Sequence, residues 1–204
     1  FVIAKEGRPG PVLIDIPKDV TANKAEFTAQ EPKVVKPSED ICEKDLESAV
    51  RMIRESEKPY IFVGGGAVLS EASKELYEFV KKVDAPVTDS LMGKGAFPGT
   101  DPLYTGMLGM HGTKASNYGV SECDLLIVVG ARFSDRVAGD REKFGEQAKI
   151  VQLDIDEKEI NKNVKVDEYI LGDIKEILIA LTIGLDRQNL SLIHISEPTR
   201  PEPI

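Results

Sequence analysis

Short apolar runs that end at glycine or at acidic residues alternate with segments of helical period, and this alternation restricts the fold more than any other feature of the sequence. The apolar runs occupy residues 60–63, 86–88, 125–129, 150–153 and 169–171. Uninterrupted apolar runs are typical of parallel strands, because helices cover both faces of a parallel sheet. The sequence therefore predicts a doubly wound α/β fold, a Rossmann-like parallel sheet, over residues 41–187.

Three helices are predicted from apolar residues that recur every three or four positions. Their stripes are Leu46, Ala49, Val50 and Ile53 in the first helix, Ala72, Leu76, Phe79, Val80 and Val83 in the second, and Ile174, Ile177, Leu178 and Leu181 in the third. Ser70 is predicted to cap the second helix, because a serine oxygen accepts hydrogen bonds from the unpaired N–H groups of a first turn.

The segments on either side of this alternation have a different character. Residues 12–16 are predicted to form a buried strand between prolines, and residues 21–40, which mix proline with Lys and Glu, an interdomain linker. Because the chain begins without Met inside a hydrophobic pattern, we expect it to be a fragment of a longer protein. Residues 188–204 do not continue the hydrophobic periodicity of the preceding domain, and they resemble translated sequencing-adapter read-through. We therefore interpret them as a non-native tail and do not use them to predict the fold.

The charge and the cysteines limit the partners of this fold. A net charge of -9 argues against nucleic acid or an anionic membrane as the main partner. Cys42 and Cys123 lack metal-ligand spacing, which predicts reduced thiols and no metal site. No apolar run approaches the roughly 20 residues that span a bilayer. We expect a cytoplasmic protein of a bacterium or archaeon.

A glycine triplet follows the first apolar run of the sheet. In an open parallel sheet, ligands bind outside the carboxyl ends of the strands. Gly64, Gly65 and Gly66 let the backbone approach a ligand closely, and the helix after them can offer its N-terminus to a phosphate. A tight strand-to-helix turn explains them equally well. The spacing does not fit G-x-G-x-x-G, which disfavours a nicotinamide dinucleotide site.

Two loops that combine glycine with methionine, residues 90–95 and 106–112, are further candidates for ligand contact. Met92, Met107 and Met110 have flexible side chains that can mould around an aromatic ring system, although methionines also fill gaps in cores. His111 can serve a ligand, although a lone histidine is more often a hydrogen-bonded structural residue.

Two arginines follow the run 125–129. Arg132 and Arg136 can pair bidentately with phosphate oxygens, which is the strongest anion signal in the sequence. The alternative is a surface salt-bridge cluster with Asp135 and Asp140.

Three carboxylates follow the run 150–153. Asp154, Asp156 and Glu159 can accept hydrogen bonds from ribose hydroxyls, and Asp156 can instead cap a helix that begins at Glu157. None of these segments contains an activated nucleophile, a paired general acid and base, or a metal cluster, so the sequence predicts a binding module.

A series of motifs in this order identifies a related family. Over residues 1–183 the chain contains GRPGPVLIDIPKD, VGGGA, SLMGKGAFP, GMLGMHGT, GARFSDRVAG, LDIDEKEINKN and GD. Together they resemble the large, catalytic subunit of acetolactate (acetohydroxyacid) synthase, a thiamine diphosphate-dependent enzyme. The resemblance implies that residues 1–20 are a strip of the first, pyrimidine-binding domain, residues 21–40 a linker, and residues 41–187 the central, FAD-binding domain.

The resemblance also implies which residues contact FAD. They are Arg8, Gly64, Gly65, Gly66, Ser90, Leu91, Met92, Leu108, Gly109, Met110, His111, Gly130, Ala131, Arg132, Ser134, Arg136, Val137, Asp154, Ile155, Asp156, Glu159, Ile160, Gly172 and Asp173. Ser90 is often Thr in the family and Ser134 is often Asp, and both positions keep a polar side chain here.

The reaction implied by the resemblance joins two 2-oxo acids, pyruvate with pyruvate or 2-oxobutanoate, with decarboxylation, in branched-chain amino acid biosynthesis. Thiamine diphosphate and Mg²⁺ bind to the outer domains, so this fragment is expected to bind a structural FAD without turnover, and to contain no catalytic residue. Asp135 and Arg136 would face the substrate channel. The implied partners are the outer domains, a second copy in a homodimer or higher oligomer, and a small regulatory subunit.

Three alternatives are open. A glyoxylate carboligase or pyruvate oxidase shares the fold and the flavin but not the second substrate or electron acceptor. In a flavin-independent decarboxylase or catabolic acetolactate synthase, the central domain is a scaffold whose glycine loops close on themselves, and the pair Arg132 and Arg136 argues against it. A nucleotide-binding regulatory module without an enzyme is the third.

Overall fold

The computed structural model describes residues 2–29, 31, 41–139 and 144–195, without the side chains of 187–195. The chain forms two compact units, residues 1–38 and residues 39–204. The predicted linker at 21–40 lies in part outside the described residues, so its boundaries stay a prediction.

The first unit contains α1 (Val2–Lys5) and α2 (Lys18–Ala22). The predicted buried strand at residues 12–16 is wrong: no strand forms there, and Leu13 and Ile14 are 93% and 75% exposed. A strand needs a neighbour to pair its backbone N–H and C=O groups, and the described residues of this unit form no strand that can do so.

The second unit is built on an all-parallel sheet. The strands are β1 (Pro59–Val63), β2 (Val87–Asp89), β3 (Tyr104–Met107), β4 (Leu125–Val129), β5 (Lys149–Asp154) and β6 (Glu168–Leu171). The helices are α3 (Glu43–Glu55), α4 (Gly65–Leu69), α5 (Ser73–Val83), α6 (Lys114–Glu122), α7 (Asp135–Ala138) and α8 (Ile174–Ile195). The strands lie in the order β3-β2-β1-β4-β5-β6, and every neighbouring pair is parallel.

Alternate residues of the strands enter two apolar cores, one on each face of the sheet. Ile61 and Val63 of β1 pack into a core that includes the buried stripes of α3, α5 and α8. Tyr60 and Phe62 face the second core, to which α6 and α7 contribute. Helices on both faces explain why β4 is apolar throughout, and they confirm the predicted doubly wound α/β fold.

Four details differ from the sequence predictions. Ser70 ends α4, and α5 begins after Ala72, so the predicted cap at Ser70 is wrong. The sequence patterns did not predict β3, α6 or α7. The β3 sequence YTGM contains Gly106 at a φ of +103° and is only half-buried, so it lacks an apolar run. Helix α6 buries only Ser116 and Val120, too few residues for a visible stripe.

The end of the chain differs in part from the prediction. Helix α8 continues to Ile195, so the backbone of residues 188–195, assigned above to a non-native tail, is helical. Residues 196–204 lie outside the described residues, and the origin of the tail stays a prediction. No helix within the described ranges is both long and apolar enough to cross a membrane.

Asp124, at the amino edge of the sheet, ties β4 to the chain that enters β1. Its carboxylate accepts hydrogen bonds from Glu57 N at 2.7 Å, from Lys58 N at 3.0 Å and from the Ser56 hydroxyl. Burial raises the pKa of Asp124, but these hydrogen bonds together outweigh burial and leave that pKa below its ordinary value. The folded state therefore favours the ionised carboxylate.

Replacing Asp124 with Ala is expected to lower the free energy of unfolding by about 2–3 kcal/mol at neutral pH, because charge-assisted hydrogen bonds are lost. Since the folded pKa is depressed, this contribution is complete above the unfolded pKa of about 3.9 and is lost as the pH falls through the folded pKa. Urea unfolding of both proteins across this range tests the prediction. A stability difference that stays constant in acid would contradict it.

The side-chain amide of Gln152 is buried, and neither its oxygen nor its nitrogen has a hydrogen-bond partner among the described residues. Gln152 lies in the middle of β5, in register with Val128 of β4 and Tyr169 of β6, and is 0% exposed. An unpaired buried amide costs about 1–3 kcal/mol. This position is therefore a local weakness of the sheet.

The substitution Gln152→Met keeps the length of the side chain and removes the unpaired amide. We expect it to raise the free energy of unfolding by about 1 kcal/mol and the Tm by about 2–4 °C. Gln147→Met is the matched control, because the Gln147 amide donates to Val120 O and Ser121 O, and its loss should lower the Tm. A lower Tm in Gln152→Met would contradict this prediction.

Candidate functional site

From β1 the chain adds strands first toward one edge of the sheet and then, starting with β4, toward the other edge. The point where this direction changes lies between β1 and β4. β2 and β3 lie on one side of this pair, and β5 and β6 lie on the other. Val63 and Val129, the last residues of β1 and β4, are in register, so the segments after them leave the sheet side by side. In open parallel sheets, ligands bind at this point.

Four glycines bring these segments and the segment after β2 into backbone contact; we call Gly64, Gly66, Gly93 and Gly130 the glycine seam. A Cβ at Gly64 would lie 2.3 Å from Gly130 O, and one at Gly66 would lie 2.7 Å from Gly130 Cα. A Cβ at Gly93 would lie 2.4 Å from Val63 O. The seam therefore tolerates no side chain. Gly130 also has a φ of +57°, which L-residues rarely adopt.

The N–H groups of the seam are used inside the protein. Gly64 N donates to Val129 O, Gly66 N to Gly130 O and Gly130 N to Leu153 O, each at 2.9 Å. These groups are not available to a phosphate, so the geometry supports the tight-turn interpretation of Gly64 and Gly66. Gly65 begins α4 beneath the segment after β2: a Cβ there would lie 3.1 Å from Met92 Cβ.

The segment after β2 forms a 3-10 turn, Leu91–Gly93, with an exposed apolar surface. Ser90 caps this turn, because its Oγ accepts from Gly93 N at 3.1 Å. Leu91 and Met92 are each 72% exposed, so Met92 does not fill the core. Adjacent apolar side chains of this size, left in solvent beside a seam of backbone, are suited to contact with a ligand or another chain.

The segment after β3 is joined to α7. Met110 N donates to Arg136 O at 3.0 Å, and a Cβ at Gly109 would lie 2.3 Å from the same oxygen. Leu108 is buried in the second core, whereas Met110 is 69% exposed and His111 is exposed. Met110 therefore does not fill the core either, and Met107 is half-buried.

The segment after β4 presents its polar side chains to solvent. Arg132, Ser134 and Arg136 are exposed, while Ala131 is buried and Val137 half-buried. Arg132 Nη1 lies 4.0 Å from Glu159 Oε1, so the described partner of this arginine comes from the segment after β5. The predicted alternative partner Asp140 lies outside the described residues.

The segment after β5 contains the carboxylates. Burial raises the pKa of Asp154, the N–H groups of residues 155 and 156 oppose this, and the charges of Asp156 and Glu159 raise it further. Asp156 Oδ1 accepts from Lys158 N at 3.1 Å and caps the 3-10 turn Glu157–Glu159, which confirms its predicted capping role. Glu159 is buried and accepts from Lys162 Nζ at 2.8 Å. Ile155 and Ile160 are half-buried.

The remaining predicted contacts lie at the β6 edge and in the first unit. Gly172 N donates to Asp154 O at 3.0 Å, and Asp173 Oδ1 accepts from Lys175 N at 2.9 Å at the start of α8. Arg8 belongs to the first unit, so its contact with a ligand of this edge stays a prediction.

The predicted contacts span the whole carboxyl edge of the sheet. Five strand spacings of about 4.8 Å separate β3 from β6, a distance of about 24 Å. One ligand that touches both ends must therefore be extended, as a dinucleotide is.

Two residues near this edge are missing from the candidates predicted from the sequence: Lys162, which holds Glu159, and Asp89, the last residue of β2, which is 3% exposed. Gly93, which completes the seam, belongs to the predicted loop 90–95. The position of Asp89 at a strand end is the one signal that points to it. Within the described part of the chain, no group of three or more His, Cys, Asp and Glu side chains is placed to hold a metal.

Comparison with known proteins gives a consistent family. The sequence profile of the family described as "Thiamine pyrophosphate enzyme, central domain" matches residues 46–181. A Methanocaldococcus jannaschii protein named as a probable acetolactate synthase large subunit is 47% identical over 196 residues, 91% of this chain and 32% of that protein. The acetolactate synthase large subunit of Porphyra purpurea is 44% identical over 186 residues, 89% of this chain and 32% of its own length. The chain thus spans about a third of these relatives.

A solved structure agrees with these relatives. A Mycobacterium smegmatis protein, named as a thiamin diphosphate-dependent enzyme, has a TM-score of 0.63 and 26% identity to this chain. The match covers 78% of this chain and 30% of that one.

The substitution Gly130→Ala tests the seam. We expect it to lower the free energy of unfolding by about 4 kcal/mol or more, or to prevent folding, because the Cβ overlaps backbone atoms of α4. Gly139→Ala is the matched control: Gly139 has a φ of +56° and no described atom within 4 Å of the added Cβ. It should cost less than Gly130→Ala, about 1–3 kcal/mol, because it adds backbone strain without overlap with a described neighbouring atom. Equal losses in chemical denaturation would show that the seam is not closed.

Proposed function

This chain belongs to the thiamine pyrophosphate enzyme central-domain family, and from that premise we propose that it is the central domain of an acetolactate synthase large subunit. The proposal rests on the identity of 44–47% to proteins of that name over about nine-tenths of the chain. The fold supports this proposal, because the similar solved structure is named as a thiamin diphosphate-dependent enzyme.

The proposed activity of the whole enzyme is the decarboxylating condensation of pyruvate with pyruvate or 2-oxobutanoate, in branched-chain amino acid biosynthesis. Thiamine diphosphate, when bound with Mg²⁺, supplies the decarboxylation and carbon–carbon bond formation. Its ligands are expected in other domains. Within the described residues, no group of three or more His, Cys, Asp and Glu side chains is placed to hold a metal. From the family resemblance we propose that this domain binds a cofactor without turnover.

FAD is the ligand that we propose for the carboxyl edge. The observation that carries this proposal is the exposure of three apolar side chains, Leu91, Met92 and Met110, on segments whose backbones are fixed. Flexible apolar side chains held on rigid backbone suit the face of a planar ring. The width of the edge suits an extended dinucleotide, and a mononucleotide would leave one end unused.

Different residues would hold different parts of FAD. Arg132 and Arg136, exposed after β4, are suited to the diphosphate, since guanidinium groups pair with phosphate oxygens and the seam N–H groups are already used. Asp154 is a buried carboxylate suited to accept hydrogen bonds from ribose hydroxyls. In this arrangement FAD is structural, and this chain's residues bind and orient it.

One observation favours a second candidate, a flavin-independent enzyme in which this domain is a scaffold. The glycine loops do close on each other, as such a scaffold requires, with Gly66 and Gly130 in backbone contact. Against it stand the two arginines and the exposed apolar residues, which a scaffold does not need at this edge.

The proposed partners follow from the family. We propose that the full-length protein is cytoplasmic, forms a homodimer or higher oligomer, binds 2-oxo acid substrates and associates with a small regulatory subunit. The outer domains would cover part of the apolar surface at the carboxyl edge.

Titration of the full chain with FAD, followed by flavin fluorescence and by thermal stability, tests this proposal. We expect saturable binding and a Tm that rises with FAD concentration. The double variant Arg132→Ala, Arg136→Ala should weaken binding about tenfold or more, because two charge-assisted contacts to phosphate are lost.

The control variant is Arg51→Ala, Lys149→Ala, which removes the same charge from exposed positions in α3 and at the first residue of β5, away from the carboxyl edge. It should bind FAD as the wild type does. A folded wild-type chain that binds no FAD would reject the flavin site and favour the scaffold.

A further inference from the structure

A closed triangle of polar side chains lies at the carboxyl end of β2. Tyr104 Oη donates to Asp89 Oδ2 at 2.8 Å, Lys94 Nζ donates to Asp89 Oδ1 at 3.2 Å, and Lys94 Nζ donates to Tyr104 Oη at 3.1 Å. Lys94 Nζ also lies 5.8 Å from the centroid of the Tyr104 ring. Each of the three groups is thus bonded to both of the others.

The charge states at neutral pH suit this triangle. The hydrogen bond with Tyr104 raises the pKa of Lys94, which keeps the ammonium charged. Burial raises the pKa of Tyr104, which keeps the phenol protonated and able to donate. The carboxylate of Asp89, 3% exposed, receives both donors.

The triangle connects β2, β3 and the 3-10 turn between them. Asp89 ends β2, Tyr104 begins β3, and Lys94 directly follows the 3-10 turn Leu91–Gly93. The first end of the turn is held by Ser90, whose N donates to Val63 O at 2.9 Å and whose Oγ accepts from Gly93 N at 3.1 Å. The other end is held by the contact of Gly93 with Val63 and by the side chain of Lys94.

We propose that Asp89, Lys94 and Tyr104 form a latch that positions Leu91 and Met92 against the flavin ring. This inference rests on the proposed flavin site. The latch residues act through the turn and do not touch the ligand. The side chain of Lys94 is 48% exposed and that of Asp89 is 5% exposed, so removing the ammonium leaves a buried carboxylate with Tyr104 as its remaining donor in the triangle. Loss of the latch should loosen the turn, and comparing the turn with the central strands separates this effect from a loss of global stability.

If the latch positions Leu91 and Met92 against the flavin ring, its loss should weaken binding of the flavin part of FAD and leave binding of the ADP part unchanged. Tyr104→Phe removes one hydroxyl and keeps the ring in the core, and Lys94→Met removes the ammonium and keeps the stem. In the full chain, each should raise the Kd for FAD and for riboflavin about three- to tenfold. The Kd for ADP, which has no flavin ring, should stay unchanged.

The same variants should show faster hydrogen exchange in the turn. Gly93 N donates to Ser90 O and Ala96 N donates to Gly93 O, so these two amides report whether the turn is closed. Their exchange should accelerate about tenfold, while the amides of β1 and β4 keep their protection.

Lys81→Met is the matched control. Lys81 pairs with Asp101 at 2.8 Å and lies 5.3 Å from the Tyr77 ring centroid, a similar Lys–Asp–Tyr arrangement that does not contact the turn. It should change neither the Kd values nor the exchange of Gly93.

Three outcomes would overturn the latch. FAD affinity within twofold of wild type in both variants, an equal loss of ADP affinity, or unchanged exchange at Gly93 and Ala96 would each do so. A wild-type chain that binds no FAD rejects the proposed function and the ligand-positioning role together, and the exchange measurement then decides whether the latch holds the turn.

Discussion

The contact between the backbones of α4 and the segment after β4 is the constraint on which the rest of the carboxyl edge depends. β1 and β4 are the two central strands, and Gly66 and Gly130 allow the segments after them to touch without side chains. With a Cβ at either position, the two segments would separate. The turn after β2 packs through Gly93 onto Val63 and Gly64, next to this contact, and the segment after β4 carries the exposed arginines. One backbone junction thus fixes the start of three segments.

This junction determines which groups can recognise a ligand. A glycine-rich turn before a helix usually suggests that backbone N–H groups bind phosphate. Here Gly64 N, Gly66 N and Gly130 N bond to carbonyl oxygens of the protein, so that role passes to side chains. The arginines after β4 and the buried carboxylate of Asp154 lie around the junction. The function proposed here therefore depends on side chains held by the seam and not on the seam itself.

Much of the fold could be predicted because burial on both faces leaves an uninterrupted apolar run, as in β1 and β4. β3 could not, because it is an edge strand with a glycine at positive φ and half-buried side chains. The prediction of a strand at residues 12–16 failed for the opposite reason. That run has the composition of a buried strand, but pairing needs a neighbour that the described residues of its unit do not supply. The composition of a segment indicates that it can form a strand, but the strand forms only if a neighbouring strand pairs with its backbone.

The candidate site, like the fold, could be predicted from the sequence only in part. The sequence by itself determined the fold class, the segments that follow the strands and the family to which they belong, because periodicity and motifs are local properties of the chain. Only the tertiary structure decided that the N–H groups of Gly64, Gly66 and Gly130 are used internally, that Leu91 and Met92 face solvent, and that Asp89 meets Lys94 and Tyr104. The physical reason is that strand order and register bring together residues distant in sequence, and no local pattern records which backbone will lie opposite a given glycine or carboxylate.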